Sequence, residues 1–80
     1  PKFDRLIATV EQLNDVIAND DSLGEGFCIG HSYFCTNATI NDEWMRSVVE
    51  YELIPLLKEY WFDEAVKVKD WSRTLREVVK

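Results

Sequence analysis

Apolar positions in the first quarter of the chain recur at helical steps. Phe3, Leu6, Val10, Leu13 and Ile17 are separated by alternating threes and fours, and Ile7 widens the stripe. This predicts one amphipathic helix over residues 2–19. Asp4, Arg5, Glu11, Gln12 and Asp15 fall on its other side. The polar run Asn19-Asp20-Asp21-Ser22, followed by Gly24 and Gly26, stops it, with no basic residue to close the helix end. Residues 27–35 lose the period. Phe27, Ile29, Tyr33 and Phe34 favour extended chain and Gly30 interrupts them, which predicts an ordered loop with a short extended piece and a turn at 36–39.

A second helix is predicted over residues 41–53. Asn41 is its N-cap, Asp42 and Glu43 complement the positive helix end, and Ile40 and Met45 stand at hydrophobic-staple positions. Trp44, Val48 and Tyr51 form one strip, widened by Met45, Val49 and Leu53. Inside a continuous helix Pro55 would leave the Tyr51 carbonyl without its partner, at about 3 kcal/mol. A break near residues 52–54 is therefore expected, with Pro55 opening a third, short helix as its first residue. Leu56, Leu57, Tyr60 and Trp61 supply that helix's buried face. Asp63 is expected to cap a fourth helix running through Lys80. Val68, Trp71, Leu75 and Val78/Val79 form its inner stripe, and Lys69, Arg73, Arg76 and Lys80 line a separate face. The expected fold is all-α: a small four-helix bundle with one long ordered loop.

Length and composition narrow the class. Eighty residues make one domain, 1–80, with a thin stability margin. Three Trp, three Tyr and four Phe exclude a disordered chain. No apolar run approaches the ~20 residues of a membrane span, and the first residues lack the apolar core of a signal peptide. The net charge of −6 argues against free-standing nucleic-acid binding. Charge is uneven: residues 1–65 hold 4 basic and 13 acidic side chains, residues 66–80 hold 5 basic and 2 acidic. Two cysteines without a secretory signal point to reduced thiols in the cytoplasm. The chain starts at Pro1, directly before one helical pattern, and ends at Lys80 inside another, without an initiator Met, so we expect a piece of a larger protein.

The chemistry concentrates in GFCIGHSYFC, Gly26–Cys35, an uncharged stretch holding the only histidine and both cysteines. Cys28, His31 and Cys35 have C-x2-H-x3-C spacing, but structural zinc takes four ligands and a carboxylate such as Glu25 would have to complete the set. Two buried thiols are the plainer account. A Cys/His catalytic pair three residues apart lacks an orienting group. No phosphate-binding loop occurs, and Gly24-Glu25-Gly26 lacks the third glycine of a dinucleotide loop. The pairs Glu50/Glu52 and Asp63/Glu64 read as surface and capping groups, and the basic stripe of the last helix as a solvated face. No catalytic residue and no metal ligand is assigned.

The order GFCIGHSYF, an acidic-capped helix with Trp44, and VVEYELIPLLKEYWFD resembles the C-terminal end of McrB-type proteins, the nucleotide-driven AAA+ subunits of 5-methylcytosine-specific restriction systems. The resemblance runs from about residue 3 to residue 80, and is densest in Ile29–Phe34 and Glu52–Asp63. It implies a helical lid that follows a nucleotide-binding domain, covers its nucleotide and packs on the neighbouring subunit of a ring. It also implies GTP (or ATP) with Mg2+ for the parent, an McrC-type nuclease subunit as partner, and DNA contact through the parent's other domains. Cytoplasmic location and no membrane partner are expected. Many AAA+ lids place a "sensor 2" residue against the phosphates. His31 and Ser32 are the residues to set there, as nucleotide-facing groups. The usual sensor is arginine, the segment has none, and the nearest, Arg46, lies on the next helix. His31 can instead be a structural histidine that pins the loop. Two other functions are compatible with the residues: a stand-alone helical interaction domain using Trp44, Trp61 and Trp71 or the basic stripe, and a small zinc-binding module.

Overall fold

The computed structural model describes residues 1–30, 34 and 39–80. Among these, helix α1 spans Lys2–Ala18. A 3-10 turn follows at Glu25–Phe27. Helix α2 spans Asp42–Val48, a π-helical segment Val49–Leu53, α3 Ile54–Tyr60 and α4 Ala65–Val78. The described residues are all helix, turn and loop.

The stripe of α1 is the spine of the core. Leu6, Val10, Leu13 and Ile17 are buried, with Phe3 and Ile7 packed at its edge. The helix ends at Asn19, whose Nδ2 donates to the Asp15 carbonyl at 2.8 Å. The missing basic residue is thus replaced by an amide that satisfies a terminal carbonyl. Asp20 Oδ1 accepts the Ser22 N–H at 2.7 Å, and Gly24 N–H donates to the Ile17 carbonyl at 3.1 Å. Gly24 holds φ at +101°, a conformation that side chains with a Cβ resist.

Asn41 caps α2, its Oδ1 accepting the Trp44 N–H at 2.8 Å. The break expected near residues 52–54 does not occur. The second and third expected helices form one rod, joined through the π segment, and Pro55 is its second α3 residue rather than the first. Val49 N–H still bonds four residues back to Met45, whereas Ile54 N–H bonds five residues back to Val49. The reason lies in the buried positions. Met45, Val49, Leu53, Leu57 and Trp61 recur every four residues. In an α-helix each step of four overshoots a full turn by about 40°. A wider turn in the middle takes up that drift and keeps the five side chains on one face. It ends at Pro55, which has no N–H to continue the wide register. The same shift carries Tyr51 out of the strip expected for it: Tyr51 is 77% exposed. Ile40, expected to staple onto Met45, is also exposed.

Helix α4 packs against both α1 and α3. Leu75 and Val79 are buried, and Val68, Trp71 and Val78 lie against the core. Its N-cap is Glu64, not Asp63, and neither side chain caps it by hydrogen bond. Asp63 falls in the turn closed by Glu64 N–H on the Trp61 carbonyl, one residue too early. Trp61 is 1% exposed and Trp44 and Trp71 are half-buried, so the three tryptophans belong to the core instead of forming an open platform. Lys2 closes the molecule, bonding the Lys80 carbonyl at 2.8 Å and Asp42 at 3.0 Å.

Candidate functional site

One amide of α1 holds the candidate loop from behind. Asn14 Nδ2 donates to the Ile29 carbonyl at 2.9 Å, and Asn14 Oδ1 accepts the Ile29 N–H at 2.6 Å. Both backbone groups of one loop residue are thereby satisfied, as a neighbouring strand would do it. Cys28 Sγ–H points at the Asn14 carbonyl at 3.5 Å. This thiol is half-buried and free, and its neighbour Ile29 is 4% exposed. Further along, Phe34 is buried and meets Phe3 edge-on, ring centroids 6.2 Å apart. Phe34 thus anchors this part of the loop in the core.

The loop is therefore tied to α1 at Ile29 and again at Phe34. Gly30, just past the first tie, is exposed. The nucleotide-facing candidates His31 and Ser32 lie outside the described residues, as do Tyr33 and Cys35. A shallow hollow beside Gly30 is lined by Val10, Glu11, Asn14, Ile29 and Phe34. Glu11 is its one charged group among the described residues. Arg46 is exposed on α2 and forms no ion pair among the described residues.

A second polar cluster fixes the start of the loop. Trp61 Nε1–H donates to Asp20 Oδ2 at 2.9 Å, and Lys67 Nζ lies 3.5 Å from the same oxygen and 4.9 Å from the Trp61 ring centroid. The Ser22 N–H, Trp61 and Lys67 hold the Asp20 carboxyl below the ordinary aspartate range. Elsewhere Arg76 makes a two-pronged bond to Glu50, at 2.5 and 3.0 Å. That bond holds the Glu50 carboxyl low and the guanidinium high, so Glu50 stays ionised and is not suited to donate a proton. Among the described residues no group of three or more His, Cys, Asp or Glu is placed to hold a metal ion.

Asn14 and Asp20 carry the loop, and neither stands out in the sequence. Asn14 sits on the border of the α1 stripe, beside Leu13, where an amide can turn inward. Asp20 is one of four adjacent polar residues, 19–22, after α1.

The sequence that folds this way matches a known family. The family model described as "McrB, alpha-helical lid domain" matches residues 5–69. The chain belongs to the McrB α-helical lid family. It is also 36% identical over 81 residues to the type IV methyl-directed restriction enzyme EcoKMcrB subunit of Escherichia coli strain K12. That alignment takes in 94% of this lid and 18% of the relative's length. The family match covers most of α1, the loop, the α2–α3 rod and the first part of α4.

Proposed function

We propose that this chain is the C-terminal lid of a McrB-like, GTP-dependent AAA+ motor in a modification-dependent DNA restriction system of the cytoplasm. The lid closes over nucleotide bound by its own nucleotide-binding domain and meets neighbouring ring subunits. It has no activity alone. The motor works with an McrC-type nuclease subunit and reaches DNA through its other domains. The observation that carries this reading is the family match across residues 5–69, supported by the identity to the E. coli subunit.

His31 and Ser32 are the lid's nucleotide-facing groups in this account. The described residues on either side of them, Ile29 and Phe34, are held by Asn14 and by Phe3 of α1. The described flank beside Gly30 is uncharged apart from Glu11 and holds no cation. That flank therefore offers phosphate no positive charge. Phosphate charge and Mg2+ are then left to the parent's nucleotide-binding domain, with His31 as the lid's own donor. Nearby phosphate would favour the charged imidazolium. Contact with both domains is what lets a hinged lid respond to its ligand.

In the full-length parent, His31→Ala should weaken GTP binding or slow its hydrolysis about tenfold, equivalent to ~1.4 kcal/mol, with urea unfolding unchanged. Wild-type binding and turnover in that variant would reject the role of His31. A parent sequence without a G-x-x-x-x-G-K-[ST] motif would reject the motor itself.

A further inference from the structure

On the face formed by α3 and α4, away from the tied loop, the two helices leave an open groove of about 430 Å3. Ile54, Val68 and Phe62 give it an apolar floor and lip, and Lys58, Lys69 and Arg76 stand around it. Phe62 is 83% exposed although its neighbour Trp61 is buried. A large aromatic left in water beside a groove marks a contact surface more often than a solitary apolar side chain does. The three cations are unevenly neutralised. Arg76 is bonded to Glu50, and Lys58 acts on that same carboxylate. Lys69 has no ion pair among the described residues. All three charged residues that line the groove are thus cations, on a chain of net −6.

We propose that the α3–α4 groove docks an acidic segment of a partner protein, one bulky apolar side chain seated against Ile54, Val68 and Phe62 and its flanking carboxylates on Lys58 and Lys69. The volume is at the lower end of the ~300–1,000 Å3 range of ligand pockets. It admits one or two side chains rather than a whole helix. Charge complementarity selects the sign of the occupant. A duplex is disfavoured because its dense phosphates would also face the acidic remainder of the chain, whereas a short segment brings only one or two carboxylates. The proposal does not depend on nucleotide binding at the loop.

The test is a peptide-display selection on the full-length protein, with the Lys58→Glu/Lys69→Glu double variant as counter-target. Selected peptides are then measured by fluorescence anisotropy. We expect enrichment of a Trp, Phe or Leu flanked by Asp or Glu. Affinity should fall at least tenfold in the double variant and also in Phe62→Ser. Both variants change exposed side chains, and circular dichroism checks that each still folds. Three results would overturn the proposal. The first is no enrichment, or peptides that bind both variants equally. The second is tighter binding of a 20-base-pair DNA duplex than of any peptide, lost in the double variant. The third is wild-type self-association in sedimentation that the double variant abolishes, which would make a second copy the occupant.

Discussion

Asn14 and Asp20 show how single polar side chains position the loop. Replacing Asn14 with Ala leaves the Ile29 N–H and carbonyl without partners in a half-buried place. That should cost about 1–3 kcal/mol, read as a lower urea midpoint. The amides of residues 28–30 should also exchange hydrogen faster, while those of α4 do not change. Asp20 ties the loop to Trp61 and Lys67 and has a depressed folded pKa. The sign follows from that depression. Its stabilisation is complete above the unfolded aspartate value of about 3.9 and disappears as pH falls through the lower folded value. Asp20→Asn should therefore be less stable than wild type at pH 7, and the gap should close below about pH 4. Urea denaturation at a series of pH values measures it, and a gap that does not narrow as pH falls below about 4 would contradict the ionic account. Sequence reasoning located the loop but not its ties. An amide or carboxylate beside a polar turn announces that it can bond, and only the packed chain decides with what. Phe34 was legible because a large aromatic in a small domain has few places to go other than the core.

At the level of elements, the stripe of α1 and the inner face of α4 were legible from spacing alone, since a period of 3.6 is enough to bury Leu6, Leu13, Ile17 and Leu75. The continuous rod with its wide turn was not. Pro55 pointed to a break, because a proline within a helix removes one bond. The stronger signal was the regular step of four from Met45 to Trp61, which an α-helix cannot keep on one face. If that stripe sets the wide turn, restoring an N–H at residue 55 should not remove it. Pro55→Ala should keep Leu53 and Ile54 buried and change stability by less than about 1 kcal/mol, within the range of ordinary single substitutions. A structure of the variant in which residues 49–53 became regular α-helix would assign the turn to the proline instead. Leu53→Ala should cost about 2–5 kcal/mol by denaturant unfolding, because the side chain is fully enclosed where the rod widens.

For the whole molecule, a few specific polar bonds join elements distant in sequence. Lys2 joins Asp42 and the Lys80 carbonyl, Lys67 joins Asp20, and Arg76 joins Glu50. The ends of α1, the rod and α4 are tied together by these contacts around one apolar core. Ile29 and Phe34, on either side of the candidate residues, are packed into that core against α1. The family resemblance was legible in IGHSYF and IPLLKEYWF, and the structure gives those two stretches different physical roles. The first includes the tied loop ends Ile29 and Phe34. The second is the α3 end of the rod, with Leu57 and Trp61 in the core and Phe62 left outside. The proposed work of the lid rests on the first stretch being completed by another domain when nucleotide is bound. The most direct measurement is hydrogen exchange across residues 26–34 of the full-length protein, with and without a non-hydrolysable GTP analogue. The account predicts slower exchange there with nucleotide, an effect reduced in His31→Ala, and no change in the middle of α4. Unaltered exchange across residues 26–34 at saturating nucleotide would contradict it.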